Sequence, residues 1–198
     1  MSQSILVERS GNAVVLRFNR PAIKNPLSIA ALEELEEIFA SSESNPAIET
    51  IIFTGSGDTF ASGANLKEIA RLNETTAREF GRRGQALMQR VYHSDKTTVA
   101  AVDGFCMGGA LDLAMSCTRR IASPRSIFAH PGVGLGIITG WSGTQILPRL
   151  IGEARALEMF LTAKRVDAVE ALRVGLIDLI SDAPLADSLA NFPANRTS

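Results

Sequence analysis

Ala101-Val102-Asp103-Gly104-Phe105-Cys106-Met107-Gly108-Gly109-Ala110-Leu111-Asp112-Leu113-Ala114 passes from strand through a glycine pair into helix in quick order. The β-branched run 97–102 reads as a strand leading into Gly104, and the pattern turns helical over 108–115. Gly109 then stands at the helix start, where an amide lacks an intrahelical acceptor and can donate to a negative oxygen. Asp112 falls in the first turn, where the helix dipole favours a carboxylate. These features suit a catalytic centre, and they equally suit a packing turn around a dipole-stabilised acid.

A second segment has the same grammar. Phe60-Ala61-Ser62-Gly63-Ala64-Asn65-Leu66-Lys67-Glu68 joins a strand-like piece to a helix through very small residues. Small residues let a ligand approach the backbone closely, though any tight turn can use them. Around these two segments, strands and helices alternate. Ile5-Leu6-Val7 and Val14-Val15-Leu16-Arg17-Phe18 flank Gly11-Asn12, which predicts a hairpin. Ser28 is the expected N-cap of a helix through Phe39, with Leu32, Leu35 and Phe39 on one face. The run 48–54 predicts a buried strand. One helical region is expected over 66–92, with Phe80, Leu87, Met88 and Val91 as core, and others over 143–160 and 167–174. Strand-like pieces lie around Pro124 and over 177–180, and a final helix over 184–192 is halted by Pro193. The alternation predicts an α/β architecture.

Composition narrows the function classes. The 198 residues suffice for a domain burying roughly 70% of its unfolded surface. A net charge of -1 offers no excess of cations to neutralise phosphates, so no nucleic-acid partner is expected. Cys106 and Cys117 lie in apolar surroundings without CxxC spacing and read as buried free thiols. Neither a secretory pattern nor a membrane-length apolar run is present, so a cytoplasmic location, or an organelle matrix whose targeting signal is absent here, and no membrane partner are expected. Asn195-Arg196-Thr197 matches a glycosylation acceptor and is read as a chance match in that setting.

The two chemistry-bearing segments, in this order, resemble the enoyl-CoA hydratase/isomerase (crotonase) family. Asn19-Arg20-Pro21-Ala22-Ile23-Lys24-Asn25-Pro26-Leu27 is similar to that family's Asn-Arg-Pro…Asn-Ala-Leu signature, with Pro26 in place of alanine. Gly140-Trp141-Ser142-Gly143-Thr144-Gln145-Ile146-Leu147-Pro148-Arg149-Leu150-Ile151-Gly152 resembles its Gly-Gly-Thr-Gln-Arg-Leu region. Leu161-Thr162-Ala163-Lys164-Arg165, continued by Ala168 to Leu179, is similar to its Leu-Thr-Gly…Ala…Gly-Leu-Val segment. The resemblance covers nearly the whole chain. It implies a crotonase-like superhelix of repeated ββα units over 1–182. Residues 183–198 would be a short tail, or the start of a helical C-terminal region that is largely absent. It also implies an acyl-CoA thioester substrate, no metal, no cofactor apart from the coenzyme A of the substrate, and a homo-oligomer, trimeric or hexameric.

Carried over by position, the resemblance puts oxyanion-hole amides on Ala64 and Gly109, and a thioester contact surface on Ala22, Lys24, Ser62, Gly63, Asn65, Leu66, Gly108, Pro131 and Gly132. Lys67 is either a phosphate or ribose contact or a solvated lysine. Two glutamates handle the proton in hydratases of this family. The first falls on Asp112, one methylene shorter, and the second on Gly132, which carries no proton. His130, two residues away, is the candidate substitute because imidazole titrates near neutrality. His130 is nevertheless read as structural in preference to catalytic. Trp141 reads as an acyl-pocket wall or as a core or subunit contact. The expected function is hydration or double-bond migration of an enoyl thioester through a stabilised enolate. A decarboxylase and a weakly catalytic acyl-CoA-binding homologue are the alternatives.

Overall fold

Gly11, at φ +60°, turns the chain between β1 (Ile5–Ser10) and β2 (Ala13–Phe18), which pair antiparallel with Ile5 opposite Phe18. The computed structural model describes residues 3–191. After β2 come a 3-10 turn at Pro21–Ile23, β3 (Pro26–Leu27) and α1 (Ile29–Ser44). Ser28 caps α1 as expected, its hydroxyl accepting from the Ala31 amide, and Leu32, Leu35 and Phe39 are buried. The helix continues past Phe39, because nothing before Asn45 breaks it.

A strand-pair-then-helix unit then recurs. β4 (Thr50–Gly55) and β5 (Thr59–Ala61) lead through β6 (Gly63–Ala64) to α2 (Leu66–Ile69) and α3 (Glu74–Tyr92). β7 (Thr97–Val102) and β8 (Phe105–Met107) lead to α4 (Gly109–Ser116). β9 (Arg119–Ala122) and β10 (Ile127–Ala129) lead through a 3-10 turn, Pro131–Leu135, to α5 (Gly143–Ile151) and α6 (Glu153–Thr162). β11 (Val166–Asp167), α7 (Ala168–Arg173), β12 (Leu179–Ile180) and α8 (Pro184–Asn191) follow.

Among the described residues, β4, β7 and β9 extend the hairpin into a six-stranded sheet ordered β1-β2-β4-β7-β9-β12. The second strands of the units form another sheet, ordered β11-β10-β8-β5, and β3 pairs with β6. Strand alternation divides the larger sheet between two apolar layers. Val14, Leu16, Ile51, Phe53, Ala100 and Val102 face the main core; Val15, Ile52, Val99, Ala101 and Ile121 face the other way. Leu185 of α8 packs on that second layer, so residues past 183 cover part of the sheet. Buried on both faces, the central parallel strands carry continuous apolar runs, 51–53 in β4 and 99–102 in β7.

Two expected helices are each divided. The region 66–92 breaks before Asn73, which forms a capping box with Thr76: each side chain accepts from the other residue's amide. The region 143–160 breaks at Gly152, whose φ of +85° lies outside helical space. Cys106 and Cys117 are buried and free, as expected. No described helix is long and apolar enough to cross a membrane. Phe192, Pro193 and the Asn195-Arg196-Thr197 match lie outside the described residues.

Candidate active site

α4 begins against the smallest residues of the chain. Gly108, at φ +53°, turns the backbone into the helix, and its amide donates to the Ala129 carbonyl at 2.9 Å. Gly109 follows as the first helical residue, so its own amide has no intrahelical acceptor. β6 lies alongside, with Leu27 opposite Ala64 in the short β3–β6 ladder. The helix is buried over most of its length, and Asp112, one turn in, is 0% exposed.

These elements wall a cavity of about 330 Å³. Of the residues expected at the site, Ser62, Ala64, Leu66, Gly108, Gly109, Asp112, His130, Pro131, Gly132 and Trp141 line it. Ala22, Lys24, Gly63, Asn65 and Lys67 do not. Ala22 and Lys67 are exposed, and Lys24 is paired with Asp58, its Nζ 2.8 Å from each carboxylate oxygen. Asn65 caps α2 by accepting from the Lys67 amide. The Lys24 carbonyl accepts from the Ser62 amide at 3.0 Å, which ties this exposed group to the cavity wall.

Asp112 and His130 are the only titratable residues in the described wall. Burial pushes the Asp112 carboxyl up to about 7; the Thr139 hydroxyl, donating to Oδ2, and the nearby amides of Trp141 and Gly143 pull the other way. Gly143 has to be glycine here, because a Cβ would run into the same carboxylate. Burial pushes the His130 imidazole down to about 4. Both shifts favour the neutral forms, a neutral ring and a protonated acid.

The His130 geometry differs from the extended backbone expected for this piece. An extended strand would put residues 130 and 132 on one face, so alternation gives no reason to turn His130 away from the site, and the 3-10 turn Pro131–Leu135 begins directly after it. The imidazole instead faces the cavity, its Nε2 3.6 Å from Asp112 Oδ1, and its ring rests against Phe160 at a centroid distance of 5.2 Å. Gly132 also lines the cavity, pressed against the following loop. The Ile137 amide donates to the Gly132 carbonyl at 3.0 Å, and a Cβ on Gly132 would stand 2.6 Å from the Ile137 carbonyl oxygen.

Trp141 is 3% exposed and closes one end of the cavity beside Phe80, with ring centroids 5.1 Å apart. Its indole lies flush on Gly84 and Gly109, where no Cβ fits. It is thus both a pocket wall and a core residue. Sequence reasoning missed Thr139 and Phe160. Thr139 sits in the glycine-dense stretch without a motif of its own. Phe160 lies on a helix whose apolar face signals burial, with no indication of which group it meets.

The comparisons agree with this architecture. The family model described as Enoyl-CoA hydratase/isomerase matches residues 8–189. A crotonyl-CoA hydratase of Syntrophomonas wolfei is 40% identical over 179 residues, 90% of this chain and 69% of the relative. A short-chain-enoyl-CoA hydratase of Clostridium acetobutylicum is 34% identical over 212 aligned positions, covering 98% and 81%. The crystal structure of an enoyl-CoA hydratase from Thermoplasma volcanium superposes with a TM-score of 0.90 at 30% identity, over 97% of this chain and 79% of that one. The chain belongs to the enoyl-CoA hydratase/isomerase family.

Proposed function

We propose that this chain acts on an acyl-CoA thioester by stabilising an enolate, in the hydration or double-bond migration of a short enoyl-CoA. The observation that carries the reading is a buried acid, Asp112, one turn from the free amide of Gly109, in the wall of a cavity that also holds Ala64. Proton transfer at the carbon beside a thioester drives negative charge onto the carbonyl oxygen. Two fixed amides, those of Ala64 and Gly109, receive that oxygen; losing one such donor typically costs ~2.7–4 kcal/mol of transition-state stabilisation. The apolar wall of Leu66, Phe80, Ile138 and Trp141 holds the acyl chain. The coenzyme A portion runs out past Ser62 and Leu66 toward the exposed Ala22, Lys24 and Lys67. The names of the similar relatives, crotonyl-CoA hydratase and short-chain-enoyl-CoA hydratase, support a short acyl group.

Asp112 is the group that exchanges a proton with the acyl carbon. A misplacement of ~1 Å can lower a rate about a hundredfold, so the shorter side chain matters, and its bond from Thr139 fixes its position. The test is turnover of crotonyl-CoA by the wild-type protein and by Asp112→Asn, with coenzyme A thioester binding measured in parallel. A clear loss of turnover with retained binding is expected. Equal, negligible rates in both proteins would leave an acyl-CoA-binding role and overturn the enzymatic one.

A further inference from the structure

Among the described residues, three buried side-chain atoms lack a hydrogen bond of normal geometry: Asp112 Oδ1, His130 Nδ1 and His130 Nε2; the Trp141 and Gly143 amides lie near enough to the Asp112 carboxyl to lower its pKa but complete no such bond to Oδ1. Buried polar atoms are nearly always paired, and an unpaired one calls for a reason. Here all three belong to the two titratable residues of one cavity wall, and Oδ1 and Nε2 face each other at 3.6 Å. That separation is too long for a direct hydrogen bond and suits two groups that act on something lodged beside both. A purely structural histidine would be expected to anchor at least one ring nitrogen on the backbone. His130 anchors neither, and it is held by ring contact with Phe160 instead.

We propose that His130 is the second proton-handling residue of this site, working with Asp112 as an acid–base pair for adding water to the enoyl thioester. The inference rests on the thioester reading above and adds the water-activating group which that reading lacks. Position 132, where the family resemblance puts a second carboxylate, has no space for one, because any side chain there meets the Ile137 carbonyl. The task falls to the nearest group able to take a proton.

Atoms and electrons balance in this step. The neutral His130 ring accepts a proton from water through Nε2 while the water oxygen bonds to acyl carbon 3. The protonated Asp112 carboxyl gives its proton to carbon 2, and the carbon–carbon double bond becomes single. Asp112 is then a carboxylate and His130 an imidazolium. Transfer of one proton from Nε2 to Oδ1 restores the starting pair. The net change is addition of one water, with no oxidant, reductant or further reactant. Burial shifts both groups toward the neutral forms from which this step starts, raising Asp112 and lowering His130.

The experiment compares crotonyl-CoA hydration by wild type, Asp112→Asn, His130→Gln and the double variant, with thermal melts as folding controls. His130→Gln should lower kcat by roughly 10²–10⁴-fold, the range for a lost acid–base group, with little change in KM. The double variant should fall no further than the worse single one, because groups that act as a unit are not additive. A wild type that turns over, with His130→Gln within about threefold of it, would overturn the His130 role and leave the thioester reading standing. Wild type, Asp112→Asn and His130→Gln all equally inactive would overturn both.

If His130→Gln fails to fold, nitrogen NMR of the imidazoles decides. The sequence has two histidines, and His93 is exposed, so His93→Gln assigns the spectrum. Asp112→Asn should shift the His130 ring nitrogens and their titration. An unchanged spectrum would overturn the pair.

Discussion

Asp112 and His130 oppose each other in the pH dependence of stability, and removing either should expose the other. The folded Asp112 carboxyl titrates near 7, against 3.8 for a free one. Between those values the folded chain keeps a proton that the unfolded chain has lost, so stability falls as pH rises across the window. At 1.36 kcal/mol per pH unit the span comes to about 4 kcal/mol. The folded His130 ring titrates near 4, against 6.5 when free. There the unfolded chain holds the extra proton, so stability falls as pH drops, by about 3 kcal/mol. Between pH 4 and 6.5 the two slopes nearly cancel. Asp112→Asn should uncover the His130 slope, leaving the protein about 3 kcal/mol less stable at pH 4 than at 6.5, relative to wild type. His130→Gln should uncover the opposite slope, with stability lost from pH 4 to 7. Urea unfolding at half-unit pH steps measures both, and the difference from wild type removes what exposed groups contribute equally. Difference curves that are flat, or whose signs are exchanged, would refute the reasoning. Exchanged signs are the mark of an ion pair, in which the carboxylate and imidazolium stabilise each other.

Gly132→Glu restores the family's second carboxylate in sequence but should not restore its chemistry. The new Cβ meets the Ile137 carbonyl at 2.6 Å, so the turn has to shift, lowering stability by about 1–3 kcal/mol; thermal melting and crotonyl-CoA turnover should both fall. A gain in turnover would mean that the turn yields more easily than its backbone contact indicates. Arg120→Ala tests the frame instead of the site. The Arg120 side chain is 8% exposed and donates to the Cys117 and Leu176 carbonyls and to Asp178, tying α4 to the segment before β12. Its removal should destabilise the fold by about 3–5 kcal/mol, read as a lower urea midpoint with an unchanged slope.

What the sequence discloses is mostly local. Gly11-Asn12 announces the hairpin and Ser28 the start of α1, because a turn or a cap depends on residues within a few positions. The strand–glycine–helix order around Gly109 is legible for the same reason. The break before Asn73 is also encoded locally, yet its signal is a reciprocal Asn–Thr box without the usual serine and glutamate. The site is less legible because its contacts are distant in sequence. Lys24 meets Asp58, Thr139 meets Asp112, and Phe160 meets His130; no periodicity carries those pairings. The direction of His130 depends on the conformation of the residues after it. Strand alternation over 128–132 does not announce the 3-10 turn that follows His130 at Pro131. Proline favours that turn through its fixed φ, which is the one local clue.

The approach of His130 to Asp112 depends on strand register. β10 runs parallel to β8 with Ala129 opposite Met107, so both strands end at the same level. The Gly108 amide, bonded to the Ala129 carbonyl, closes that edge. His130 is the next residue of one strand, while the other turns through Gly108 into α4. Asp112 then lies at the fourth position of the helix, about one turn up its axis. A slip of one residue between β8 and β10 would move His130 by roughly 3.3 Å and turn its side chain to the opposite face, taking Nε2 out of reach of Oδ1. Phe128, buried and paired with Cys106 across these strands, resists that slip, since a shift of β10 would carry it out of the core. The apolar register that packs the second sheet is therefore also what brings Asp112 Oδ1 and His130 Nε2 to 3.6 Å.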